Sequence, residues 1–357
     1  MIGVALGAIL TLMIYQHDLE KARLTNQLFA QKVALMEISD AVLRRQVEKM
    51  SISQYPGVKA NGRLTVAGGR LLNQRGETVQ LRGMSSHGLT WYPQYINARA
   101  LNSLKERGAN LFRAAMYADS LHGGYNENDQ SRTLNKLFLF MAVENSLAND
   151  MYVIIDWHLL KDETPLLNVD RAVEFFEEMS FRYREEAGVI YEICNEPNGA
   201  TTWEDIRDYA DRVIPAIRKN APEAVILVGT PKFSSDLRSA REAPITEENI
   251  MYSYHMYTGQ SDYEWEAELG AMLEAGLPVF VSEWGLSTDE ATGEMDVREA
   301  YAFTDFLRRH QISWANWSLS NKDEDFSALK PEVVTLSGWT DEDLTVSGKL
   351  IFEAFGR

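Results

Sequence analysis

The chain reads as an α/β protein, a (β/α)8 TIM barrel preceded by an N-terminal hydrophobic segment and a helical stalk. Three observations lead there. Eight apolar, β-rich runs alternate with stretches of helical periodicity between residues 79 and 355. No glycine-rich phosphate loop follows a strand, which weakens the doubly wound open sheet as the alternative. Acidic, aromatic and histidine residues gather where the strands end, the place at which a barrel of this kind builds its site.

Taken in order, residues 1–16 carry no charged side chain, and Ile2–Tyr15 is mostly apolar. No basic residue precedes the run and no clear small-residue cleavage site follows it, which favours an uncleaved anchor over a signal peptide. The run falls short of the ~20 residues of a membrane span, so it reads as the end of an anchor that starts upstream of Met1. Either reading implies export, to the cell envelope as a membrane-anchored, outward-facing protein or as a secreted one. Residues 17–50 turn helical, with Leu24, Leu28, Leu35, Ile38 and Val42 at alternating spacings and Gln31 and Arg45 as poor seam positions. Self-association through residues 18–50 as a coiled coil and a single amphipathic helix lying on another surface both fit. Residues 51–62, with Pro56-Gly57 and Asn61-Gly62, read as a linker. The barrel domain is expected over 63–357, opening with a small hairpin over 63–80 around Gly68-Gly69.

Strands are expected at Val79–Gly83, Ala109–Met116, Tyr152–Trp157, Val189–Asn195, Ala224–Gly229, Met251–His255, Pro278–Ser282 and Ser313–Trp317. Helices are expected at Asn97–Arg107, Arg132–Asn149, Val169–Arg184, Trp203–Lys219, Tyr263–Ala275 and Val297–Arg309, and Leu344–Phe355 closes the chain.

Net charge is −17, and residues 1–50 hold six Lys/Arg against five Asp/Glu, so the acidic excess lies in the remainder. Such a body argues against nucleic acid and anionic membrane surfaces as partners and is compatible with a neutral glycan. The single cysteine, Cys194, permits no internal disulfide and reads as a small buried filler. No Cys/His cluster has metal spacing, and neither metal nor cofactor is expected.

The chain is organised around Val189-Ile190-Tyr191-Glu192-Ile193-Cys194-Asn195-Glu196-Pro197. An apolar strand gives way to Glu196, and Pro197 ends the ladder. Pro278-Val279-Phe280-Val281-Ser282-Glu283-Trp284-Gly285 repeats the design. A strand-end glutamate is more often a salt-bridge partner or a helix cap. Here two of them share a rim with His87 and Trp91 after the first strand, Arg113 and Tyr117 on the second, His158 after the third, Asn195 on the fourth, His255 and Tyr257 on the sixth and Trp317 on the eighth. A bland account would have to hold at each strand in turn.

Two carboxyl groups at one rim suit cleavage of a glycosidic bond, with one protonated to release the leaving oxygen and the other ionised to attack the anomeric carbon. Arg113 and Tyr257 are donors suited to aiming Glu283. His255 and His158 are placed to tune Glu196, and Asn195 to meet a sugar 2-hydroxyl. Trp91, Tyr117 and Trp317 offer flat apolar faces for sugar rings.

The motifs Leu81-Arg82-Gly83-Met84-Ser85-Ser86-His87-Gly88, Phe112-Arg113-Ala114-Ala115-Met116-Tyr117, Val153-Ile154-Ile155-Asp156-Trp157-His158, Asn195-Glu196-Pro197-Asn198-Gly199, Ser282-Glu283-Trp284-Gly285 and Trp314-Ala315-Asn316-Trp317 resemble glycoside hydrolase family 5, and within it the bacterial endo-β-1,4-glucanases. The resemblance spans the chain from about residue 60 onward and leaves the first 50 residues outside. It implies a retaining double displacement with Glu196 as acid/base and Glu283 as nucleophile, acting on cellulose or a related β-glucan. It also implies substrate contacts for His87, Trp91, Tyr117, Trp317, Lys322 and Glu324. Where the family tends to place a tryptophan after the fifth strand, this chain has Phe233. The loops after the sixth and seventh strands look short, which suggests an open cleft. Mannan, xylan-type and mixed-linkage β-glucan are the alternative substrates, and a carbohydrate binder without catalysis is the alternative of another class.

Overall fold

The computed structural model describes residues 56–259, 264–287 and 295–356. The anchor and stalk expected over residues 1–50 lie outside the described residues, as do residues 260–262 and 288–290 of the loops expected to be short. Among the described residues no helix is long and apolar enough to cross a membrane.

A two-stranded hairpin, β1 (Thr65–Ala67) and β2 (Arg70–Leu72), precedes eight parallel strands. These are β3 (Arg82–Ser86), β4 (Leu111–Tyr117), β5 (Tyr152–His158), β6 (Val189–Glu192), β7 (Ile226–Val228), β8 (Ile250–Tyr257), β9 (Val279–Gly285) and β10 (Trp314–Leu319). They follow one another around a closed barrel in which β10 pairs with β3, so the open-sheet alternative is excluded. Helices α1 (Val58–Asn61), α2 (Ala98–Glu106), α3 (Asp129–Ala148), α4 (Val169–Arg182), α5 (Trp203–Arg218), α6 (Leu237–Glu242), α7 (Trp265–Glu274), α8 (Val297–His310) and α9 (Val346–Phe355), with short helical turns at Pro93–Tyr95, Pro165–Asn168 and Pro231–Ser234, complete the described elements.

Local chemistry sets the boundaries. The Asn97 side chain caps α2 by accepting from the Arg99 and Ala100 amides. Thr202 and Asp205 form a reciprocal capping box at the start of α5. The strands read as near-continuous buried runs because helices cover one face and the barrel interior the other.

The apolar interior falls into two main parts. One lies between strands and helices and includes Trp157, Phe175, Phe176, Trp284 and Trp314. The other fills the lower barrel with Leu111, Tyr152, Ile154, Ile190, Leu227, Met251 and Phe280, closed below by Leu64, Leu71 and Val79. The upper barrel is polar, and the site stands there on a packed floor.

Three expectations are corrected. The first barrel strand begins at Arg82 rather than Val79, because Val79 donates its amide to Leu71 of the hairpin. Strands β8, β9 and β10 run two to three residues further than expected, so Tyr257 and Glu283 sit on strands, whereas β6 ends at Glu192 and leaves Asn195 and Glu196 beyond it. The second half of the expected linker packs under the barrel: Val58 joins the lower core, and the Lys59 amide donates to Asp150 Oδ1 at 2.7 Å.

Candidate active site

The strand register delivers the polar side chains to one level. His255 pairs with Glu283, Asp156 with Glu192, and Tyr117 with His158 across adjacent strands. Alternation then turns Leu111, Arg113, Ala115 and Tyr117 toward the same side of β4, apolar below and polar above.

Arg113 is the hub. It is fully buried and donates from Nη1 to Glu283 Oε2 at 2.8 Å, from Nε to Glu192 Oε2 at 2.7 Å and from Nη2 to Asn195 Oδ1 at 2.6 Å. Its Nη2 also lies 3.0 Å from Asp156 Oδ2. Burial works against its charge, yet Asp156, Glu192 and Glu283 hold its pKa above the ordinary value. Glu283 takes a second donor at its other oxygen, the Tyr257 hydroxyl at 2.6 Å. Burial, reinforced by Glu283 and Glu196, pushes the Tyr257 pKa well up, so this hydroxyl keeps its proton. Two donors, one of them cationic, suit an anionic carboxylate at Glu283.

Glu196 has different company. Its Oε1 lies 2.9 Å from His255 Nδ1, and His255 Nε2 lies 3.0 Å from the Ser282 hydroxyl. Burial, with Arg113 nearby, lowers the His255 pKa to about 4 despite Glu283, leaving the ring neutral near pH 7. Glu196 and Glu283 bring one oxygen each to within 4.8 Å of each other, and His255 brings a ring nitrogen within the same distance of both. Among the described residues this is the group with ligand atoms arranged to hold a metal ion, but donors already occupy both Glu283 oxygens.

His158, expected beside Glu196, has its two ring nitrogens near Asp156 and Asn195. Its Nδ1 lies 2.7 Å from Asp156 Oδ2, and its Nε2 is 3.4 Å from Asn195 Nδ2. Burial first, then Arg113, lowers its pKa to about 3, while burial and Glu283 push Asp156 up to about 8 against Arg113. Asn195 is fully buried, and its Nδ2 also donates to the Leu159 carbonyl at 3.2 Å, so both ends of the amide are engaged within the protein.

Above this layer opens a cleft of about 540 Å³. Trp317 lines it, stacked on His158 with ring centroids 5.2 Å apart, and the Trp317–Ser318 peptide is cis. Trp91, 43% exposed, lies 4.4 Å from the Tyr117 ring. Glu324 Oε1 lies 3.0 Å from His87 Nε2 and its Oε2 lies 2.6 Å from Lys322 Nζ as an ion pair, and these neighbours lower its pKa against burial. Phe233, 51% exposed, reaches the cleft from beyond β7. Of the residues singled out from the sequence, Arg113 and Asn195 lie beneath the cleft and the other twelve line it.

Sequence reasoning assigned no role to Glu192, Asp156 or Ser253. Glu192 is fully buried and accepts from Arg113 and from the Ser253 hydroxyl at 2.8 Å. The signal was present: a glutamate inside an apolar run, two residues from inward-facing Ile190. Cys194 is buried, and burial raises its thiol pKa, in keeping with a filler.

The chain matches the cellulase family, glycosyl hydrolase family 5, over residues 72–323. It belongs to that family. An endoglucanase of Clostridium saccharobutylicum is 40% identical over 299 residues, which cover 83% of this chain and 65% of the relative. Endoglucanase A of Butyrivibrio fibrisolvens is 41% identical over 302 residues, covering 84% and 70%. The chain thus spans about two thirds of these relatives' own length. Among solved structures, cellulase Cel5C_n superposes with a TM-score of 0.80 at 35% identity, covering 86% of this chain and 96% of that one. The catalytic domain of a Thermobifida fusca endoglucanase in complex with cellotetraose gives 0.77 at 31% identity, covering 84% and 98%. The barrel is therefore that of a glycosyl hydrolase family 5 member.

Proposed function

We propose that this family 5 member hydrolyses internal β-1,4-glucosidic bonds of cellulose or a related β-glucan with net retention, using Glu283 as nucleophile and Glu196 as acid/base. The observation that carries this is the separation and contrasting company of the two carboxyl groups. An approach of two carboxyl oxygens to within 4.8 Å supports the close pairing of a retaining enzyme, roughly 5–5.5 Å, over the roughly 6.5–9.5 Å at which an inverting pair holds a water between its carboxyl groups.

In the first step Glu283 attacks the anomeric carbon while Glu196 gives its proton to the departing glycosidic oxygen. Arg113 and Tyr257 hold the Glu283 carboxylate in line. As it becomes an ester, its negative charge is lost from the Arg113 cluster and appears at Glu196 beside neutral His255. In the second step Glu196 takes a proton from water, and the water oxygen replaces Glu283 on the sugar. Trp317 and the Trp91–Tyr117 pair supply flat apolar faces for glucose rings. Lys322, Glu324 and His87 supply donors and acceptors for hydroxyls, and Phe233 faces the leaving-group side. The endoglucanase names of the relatives and the cellotetraose in the Thermobifida structure support a β-1,4-glucan.

Reducing-sugar release from carboxymethyl cellulose, β-mannan, xylan and mixed-linkage β-glucan tests the substrate. Release from the cellulose derivative, lost by more than about 10³-fold in Glu283→Gln, is expected. Release from mannan or xylan alone would move the specificity, and binding without release would make the chain a carbohydrate binder.

The same reading places the catalytic domain over residues 63–357 and has it exported. The apolar run over residues 2–15 would hold it at a membrane, and residues 18–50 would form a stalk that self-associates.

A further inference from the structure

The turn after β7 is unusual in its backbone. Lys232, Phe233 and Ser234 have φ of 57°, 59° and 58°, three successive residues with side chains in the left-handed region. Even one such residue is uncommon. The turn is held by hydrogen bonds to the loop that carries Glu196. The Ser234 hydroxyl, fully buried, donates to the Asn195 carbonyl at 2.5 Å and accepts from the Thr230 amide at 3.2 Å. The Phe233 amide donates to the Pro197 carbonyl at 3.0 Å. Gly229 allows the close approach: a Cβ there would stand 2.3 Å from the Cys194 carbonyl oxygen.

The Asn195 carbonyl and the Glu196 amide belong to one peptide plane. Ser234 grips that plane from one side, and the Glu196 amide donates to the Leu159 carbonyl at 3.2 Å from the other. Beyond Glu196, Asn198 Nδ2 donates to the Glu196 carbonyl at 2.8 Å. The Ser234 hydroxyl is the side-chain contact that ties the Asn195–Glu196 peptide itself to the turn presenting Phe233, beside the backbone bond from Phe233 to Pro197.

We propose that Ser234 is a positioning residue for proton donation: its hydroxyl, presented by the left-handed turn, fixes the Asn195–Glu196 peptide so that Glu196 points at the departing oxygen. This rests on the reading of Glu196 as acid/base. It concerns only the step in which a proton is given to the leaving group, so its signature depends on the leaving group. A sugar alcohol cannot leave without that proton, whereas a dinitrophenolate leaves unaided.

The test compares kcat/KM, which reports the first step, on cellohexaose and on 2,4-dinitrophenyl β-cellobioside. Ser234→Ala removes the hydroxyl. Ser234→Gly removes it while adopting the left-handed backbone freely, which guards against loss of fold. Thermal unfolding verifies that each variant is folded, and Glu196→Ala is the control. For both serine variants kcat/KM on cellohexaose is expected to fall about 10- to 100-fold, the size of effect that a misplaced group produces, while the dinitrophenyl substrate stays within about twofold. Equal losses on the two substrates, or wild-type values on both, in the folded Ser234→Gly variant would overturn the proposal. If Glu196→Ala itself showed no such split, the acid/base reading would fall first, and the inference with it.

Discussion

Arg113 meets Glu283, Glu192, Asp156 and Asn195 with no contact with solvent. A planar guanidinium serves several acceptors at fixed angles; an ammonium is a point charge. Arg113→Lys is therefore expected to leave one or more carboxylates buried without a partner. The predicted costs are about 3–5 kcal/mol in stability and at least 10²-fold in kcat, read by denaturant melts and by turnover of carboxymethyl cellulose. His255 gives a second prediction, in pH. Its folded pKa of about 4 lies below the ordinary 6.5. Between those values the unfolded chain binds a proton that the folded protein does not, so stability rises with pH across that window and is lost as pH falls toward 4. His158, lowered to about 3, acts with the same sign. In His255→Gln the rise in Tm from pH 4.5 to 6.5 should be shallower; an unchanged slope would deny that this imidazole is buried neutral. At this scale Glu196 and Glu283 were legible because each is a charge at the end of an apolar run. Glu192 lies within such a run, and only the distance to Arg113, a residue 79 positions away, shows its purpose.

The elements position these residues through close backbone approach. A Cβ at Gly229 would overlap the Cys194 carbonyl and stand 3.0 Å from Asn195 O and Pro197 Cδ. Gly229→Ala should therefore displace the loop that carries Glu196. A loss of about 1–3 kcal/mol is expected, with turnover reduced more than substrate binding, measured by thermal melts and by separate kcat and KM values. An unperturbed variant would show that the loop tolerates movement there. The alternation of strands and helices was visible from apolar periodicity. Strand ends were not, because the same apolar residues serve barrel and hairpin: Val79 reads as barrel strand, yet its amide is taken by Leu71. The left-handed turn at 232–234 left no trace in composition, since Lys, Phe and Ser are not residues that signal it.

At the scale of the whole molecule, the described residues form a closed barrel whose floor is apolar and whose mouth carries the chemistry. Residues 1–55 are not among the described residues, and the roles proposed for residues 2–15 and 18–50 concern location rather than catalysis. Deleting residues 1–55 should leave carboxymethyl cellulose turnover within about twofold, on the reasoning that the barrel supplies its own core. The same deletion should change sedimentation or membrane association; if neither changed, the stalk and anchor would have no support. Barrel closure was legible because the unusual residues recurred at strand after strand, whereas the packing of Val58 under the barrel was not, since a Pro-Gly pair beside it reads as linker. The central claim is a retaining two-glutamate hydrolysis, and the anomeric form of the first product tests it most directly. Proton NMR of cellohexaose in the first minutes of reaction should show the new reducing ends as the β-anomer, with α-anomer growing only as mutarotation proceeds. The α-anomer appearing first would mean inversion, and would contradict the roles drawn here for Glu196 and Glu283.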